Sequence, residues 1–160
     1  MEPIRVVWGT GTGPTALAAY DGALADANVH EYNLVRLSSV IPPEATIERI
    51  GTAPALGTVG DRLLVVEASA TTGSGQASAA LGWARREDGS GIFYEAGADE
   101  ASEPVVDRVA DGLAAGIDRR SGEFDEPDVQ TLTVDTDDSD AAYASVAVLA
   151  VYGTGESLLS

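Results

Sequence analysis

The chain contains no cysteine and no lysine, and only one histidine. Lack of cysteine excludes a disulfide scaffold, a thiolate metal site and a thiol nucleophile. A lone histidine, His30, excludes multi-histidine metal centres and most histidine-based triads, and its polar surroundings read as a surface turn. Positive charge is scarce: nine arginines stand against 26 acidic residues, for a formal net charge of −17. A field of that sign repels phosphate backbones and anionic lipids, so neither nucleic acid nor a membrane surface is an expected partner. The carboxylates are spread over nearly every segment, which fits a protein working in concentrated salt, where counterions screen self-repulsion. Steering of a cationic substrate is the competing account. No apolar run approaches the ~20 residues needed to span a bilayer. The N-terminus lacks a basic region followed by an apolar stretch and a cleavage site. A soluble, cytoplasmic protein is expected.

What is present suits one domain of 160 residues, 44% of them apolar, around a single core. Ile4 to Trp8 reads as a buried strand feeding a glycine-rich turn, Gly9-Thr10-Gly11-Thr12-Gly13. A helix follows, with Pro14 at its first position, a stripe of Leu17, Tyr20, Leu24 and Ala27, and Asn28 at its end. Asn33 to Ile41 reads as a second strand stopped by Pro42-Pro43, Glu44 to Gly60 as loop, and Arg62 to Ala68 as a strand. Alanine-rich Gln76 to Arg85 predicts a short helix, Gly91 to Glu95 a strand, and Glu103 to Ile117 an amphipathic helix. Val129 to Val134 and Tyr143 to Tyr152 read as closing strands. The order β-α-β-β-α-β-α-β-β predicts an α/β (α+β) fold with mixed sheets.

Three features invite a chemical reading. The Gly9 to Gly13 segment has the look of a phosphate loop, but it lacks a Gly-Lys-Ser/Thr ending and a completed GxGxxG, so a turn packing helix on sheet is the simpler account. Asp137, Asp138 and Asp140 lack the glycine and distal glutamate of a calcium loop and read as a solvated acidic connection. The third is Asn33-Leu34-Val35-Arg36-Leu37-Ser38-Ser39-Val40-Ile41-Pro42-Pro43. It places two hydroxyls inside an apolar strand, where a packed core prefers Val or Ile. Hydroxyls bonding neighbouring carbonyls at a strand end would account for the pair, as would a reactive site.

This segment resembles the self-cleavage region of pyruvoyl-dependent arginine decarboxylases, whose pattern runs Asn-Leu-[Val/Ile]-Arg-[Leu/Val/Ile]-Ser-Ser-[Ile/Val]-[Ile/Leu/Met]-Pro-Pro. Ala19-Tyr20-Asp21-Gly22-Ala23-Leu24 is similar to the family's Phe-Asp-Xaa-Ala-Leu helix, with Tyr for Phe, and Gly91-Ile92-Phe93-Tyr94-Glu95 to its strand ending in a catalytic glutamate. The likeness extends from about Arg5 to Gly153. It implies a layered α/β/β/α sandwich, self-cleavage between Ser38 and Ser39 into chains 1–38 and 39–160, and a covalent pyruvoyl cofactor made from Ser39. That group would form a Schiff base with L-arginine, yielding agmatine, a polyamine precursor, and CO2. No metal is called for, and no pyridoxal phosphate, which the lysine-free chain has no amine to hold.

The resemblance further assigns Asn33 to orienting the scissile carbonyl and lining the site, and Glu95 to returning a proton to the substrate's α-carbon. Glu95 must then keep a proton at neutral pH, which burial in an apolar pocket favours. Asp21 would meet the guanidinium, a pairing of planar, bidentate geometry. Read alone, Asp21 is more simply an exposed helix carboxylate and Glu95 a structural charge. The family implies a homotrimer of cleaved protomers with sites between subunits, and the acidic surface a halophilic archaeal source. A pyruvoyl enzyme for another amino acid, or an uncleaved, non-catalytic homologue, are the alternatives.

Overall fold

A computed structural model describes residues 1–160 as two β-sheets packed face to face, each covered on its outer side by one helix. The expected α/β/β/α layering is thus observed. The first sheet has the order β2-β5-β9-β1-β4, from Asn33–Arg36, Arg62–Thr72, Tyr143–Glu156, Ile4–Gly13 and Ile47–Gly51. It is mixed: β1 runs parallel to β4 and β2 to β5, while β9 is antiparallel to both its neighbours. The second, β3-β7-β6-β8, is wholly antiparallel and comprises Val40–Ile41, Gly91–Ala98, Gln76–Arg85 and Asp128–Asp135. Between the sheets, alternate residues of β1, β5 and β9, including Val6, Val66 and Val148, meet Ala79, Leu81, Trp83 and Phe93.

Helix α1 (Ala16–Asp26) lies on the first sheet and α2 (Ser102–Asp118) on the second. Pro14, expected at the first helical position, lies outside α1: Thr15 is the N-cap, and its Oγ1 accepts from the Ala18 N–H at 3.1 Å. Asn28 follows the last turn with φ +62°, the left-handed conformation asparagine tolerates, so the expected helix end is observed. Of the expected stripe, Leu24 and Ala27 are buried and Tyr20 packs against them, but Leu17 falls outside it. Ala19, Ala23 and Leu24 face the sheet while Leu17 is 76% exposed.

The reason lies in β1. Gly9 to Gly13 is not a turn but the second half of that strand, and its glycines are the floor under α1. A Cβ on Gly9 would come within 2.8 Å of the Ala27 nitrogen, and one on Gly11 would meet the backbone of Ala19 and Ala23. Only a smooth glycine strand against an alanine helix face lets the backbones come this close. The phosphate-loop appearance is a packing device.

Two further expectations fail. Gln76 to Arg85 is β6, the strand lying between β7 and β8, rather than a helix. Its alanines favour a helix locally, but Ala77, Ala79, Leu81 and Trp83 alternate into the inter-sheet core while Gly82, on the opposite face, lies under α2. A period of two that satisfies both faces overrides propensity. The segment from Glu44 to Gly60, read as loop, contains β4, an edge strand recruited by parallel pairing with β1.

Candidate active site

Asn33 to Ile41, expected as one strand, is broken in a way that builds the site. Residues 33–36 pair with β5 in the first sheet, and the Leu37 N–H still donates to the Val65 carbonyl at 2.8 Å. Three residues later the chain pairs in the second sheet, Val40 opposite Ile92. The crossing between sheets therefore falls on Leu37, Ser38 and Ser39. Ser39 takes φ +75°, a left-handed conformation rare for a residue with a β-carbon, and it holds it at the peptide bond singled out by the sequence.

Both sides of that bond are fixed. Upstream, Leu37 is tied to β5; downstream, the Ser39 carbonyl accepts from the Phe93 N–H at 2.8 Å, and the Val40 carbonyl accepts from the Tyr152 hydroxyl at 2.8 Å. The Ser39 hydroxyl donates to Glu95 Oε2 at 3.3 Å. Burial pushes the Tyr152 hydroxyl above the ordinary tyrosine range, so it remains a donor at neutral pH.

Ser38, Ser39 and Glu95 line one cleft of about 490 Å³ between β7 and the C-terminal half of α2. Its wall is made by glycine: a Cβ at Gly112 would strike the Tyr94 ring, and one at Gly116 would sit 2.7 Å from Ile92 Cδ1. Arg119 and Arg120 close the end of the cleft. Neither forms an ion pair, although the chain carries 26 carboxylates. Chemically, the cleft offers the hydroxyl of a backbone-strained residue beside a peptide carbonyl, a carboxylate within reach of that hydroxyl, and cationic groups nearby.

Asn33 and Asp21 are not in this cleft. Asn33 opens β2, at the edge of the first sheet, where its Nδ2 donates to the Gly60 carbonyl at 2.9 Å. Asp21 is exposed on α1 and lines a separate shallow groove with Leu17, Tyr20 and Leu24. That groove pairs a carboxylate with apolar surface, which suits a cation on an aliphatic stem. Glu95 is exposed in the single chain, so the apolar burial expected for it is not supplied within one protomer.

Sequence reasoning missed Tyr152, Arg119 and Arg120, which reach the site from distant parts of the chain and carry no local signal. It also missed Glu67, which had one: a lone carboxylate inside the apolar run Leu63 to Ala68. No group of three or more His, Asp or Glu side chains is arranged to hold a metal ion, and no helix is long and apolar enough to cross a membrane.

Residues 3–157 match the family described as pyruvoyl-dependent arginine decarboxylase. A protein of that name from Halobacterium salinarum is 50% identical over 157 residues, 98% of this chain and 97% of its own. One from Methanopyrus kandleri is 35% identical over 147 residues, 92% of this chain and 93% of its own. A third, from Methanocaldococcus jannaschii, is 48% identical over 44 residues, 28% of this chain and 27% of its own.

Proposed function

Because the chain belongs to the pyruvoyl-dependent arginine decarboxylase family, we propose that it cuts its own Ser38–Ser39 bond and then decarboxylates L-arginine to agmatine and CO2. The observation that carries this reading is Ser39 itself, strained at φ +75° with its hydroxyl 3.3 Å from Glu95. In the first step the Ser39 Oγ attacks the Ser38 carbonyl, so that the amide C–N bond breaks and an ester forms. Glu95 is the group within reach to accept the hydroxyl proton. Loss of the residue 39 α-proton then expels the Ser38 carboxylate across Cα–Cβ. The dehydroalanine left behind takes up water and releases ammonia, giving a pyruvoyl group at the head of chain 39–160 and a small chain, 1–38. The residues present fit such a group, since Ser39 shares a cleft with a carboxylate and two unpaired arginines.

When formed, the pyruvoyl group supplies an electrophilic carbonyl that engages the substrate's α-amine and accepts the electron pair released with CO2. Glu95 delivers a proton to the α-carbon. Asp21 meets the guanidinium, and Leu17 beside it covers the aliphatic stem. Asn33 orients the reacting carbonyl. Since Asp21 and Asn33 lie outside the cleft of their own chain, we place them in the cleft of a neighbour within a homotrimer, where subunit contact would also bury Glu95. The enzyme is proposed to work in the cytoplasm.

A denaturing intact-mass spectrum of protein purified in high salt tests the reading. Fragments ending at Ser38 and beginning with a blocked residue 39, together with CO2 release from arginine, are expected. A chain that stays whole at 16.4 kDa on long incubation overturns it. For the shared site, Asp21→Ala and Ser39→Ala, each inactive alone, should regain part of the activity when coexpressed.

A further inference from the structure

Outside the cleft the chain buries a single charged residue, Glu67 on β5, whose side chain is 1% exposed. Its carboxylate has two partners. The Tyr20 hydroxyl donates to Oε2 at 2.5 Å, and Arg36 Nη2 donates to Oε1 at 3.1 Å. Arg36 reaches the buried carboxylate from solvent, its side chain 66% exposed, so the pair contributes little net stability, whereas a directional contact to a buried carboxylate fixes geometry. The two partners are not arbitrary. Tyr20 immediately precedes Asp21, and Arg36 stands three residues before Ser39, on the strand that delivers the scissile bond.

We infer that Glu67 is a positioning residue for the active site, a clasp that holds the helix bearing Asp21 and the strand leading into Ser38 in fixed relation to β5. The inference rests on the cleavage proposed above, and cleavage gives it a second aspect: Tyr20 and Arg36 fall in chain 1–38 and Glu67 in chain 39–160. Before the cut the clasp orients the bond to be broken. After it, two side chains of the small chain grip one carboxylate of the large chain, close to the new C-terminus at Ser38.

Cleavage followed by intact mass in high salt, thermal unfolding, and steady-state kinetics of the matured protein form the test. Glu67→Gln keeps an acceptor for Tyr20 but loses the charge that holds Arg36, so it and Arg36→Ala should slow cleavage about tenfold, with Arg36→Lys restoring most of the rate. Tyr20→Phe should cleave normally and raise KM for arginine roughly tenfold with kcat within about twofold, the sign of a displaced Asp21. Val105→Ala, a cavity in the buried face of α2, is the control: it lowers the melting temperature but leaves the cleavage rate alone. Cleavage of Glu67→Gln and Arg36→Ala at the wild-type rate, or equal slowing by Val105→Ala, overturns the clasp while leaving the decarboxylase reading intact. A wild-type chain that remains uncut overturns that reading instead.

Discussion

Ser39 sits in a backbone region that costs a residue with a β-carbon about 1–3 kcal/mol, strain that the proposed cleavage would relieve. Replacing Ser39 by Ala removes the attacking hydroxyl, and a single intact chain is expected by mass. Ser38 contributes only its carbonyl to the attack, so Ser38→Ala should still be cut. With Glu95→Gln, CO2 release from the matured fraction should fall by about 10²–10⁴-fold, the usual contribution of a positioned acid. Two tyrosines bear on stability at alkaline pH. Burial raises Tyr152, and burial followed by the Glu67 carboxylate raises Tyr20, both above the unfolded value of about 10. A folded pKa above the unfolded one gives stability that is complete below pH ~10 and is lost as pH rises beyond it, because the unfolded chain ionises first. Alkaline denaturation should therefore be less steep above pH ~10 for Tyr152→Phe than for the wild type. At this scale the sequence was informative about chemistry and silent about distance. The Ser-Ser pair and Glu95 could be found in it and do meet, but nothing in the spacing showed that Tyr152 would hold Val40 across 112 positions.

Among the elements, the amphipathic periodicity of α2 was legible because one face is apolar and the other charged. The strand β6 was not, because alanine's helix preference is a local quantity, and the pairing with β7 and β8 that decides the matter comes from segments on either side of it. The break between β2 and β3 was hidden for the same reason, since each half pairs in a different sheet. Small residues at contacts between elements make a sharp prediction. A Cβ on Gly82 would lie 2.5 Å from Val109 Cγ1 and 2.8 Å from Leu113 Cδ1, so Gly82→Val should lift α2 off β6. A loss of about 1–3 kcal/mol is expected by denaturant unfolding, together with lower activity, since α2 walls the cleft.

For the whole molecule the dominant quantity is a net charge of −17. Only five ion pairs join an arginine to a carboxylate, so most of the acidic surface is left to counterions. The screening length shrinks from about 10 Å at 0.1 M salt to about 3 Å at 1 M. The melting temperature should accordingly climb with KCl over that range, and a protein indifferent to salt there would show that self-repulsion does not limit its stability.

The place of β1 decides what would become of the enzyme after the proposed cut. That strand lies inside the first sheet, bonded to β9 along ten residues and to β4 on its other side, yet under the proposed cut it falls in the 1–38 fragment. The fragments cannot drift apart without unzipping the middle of the sheet. Once heat or denaturant has done so, reassembly is an encounter between two molecules and depends on their concentration, unlike the folding of the precursor. Maturation by that cut would therefore divide the life of the protein into a first half in which folding is unimolecular and a second in which unfolding dilutes its parts.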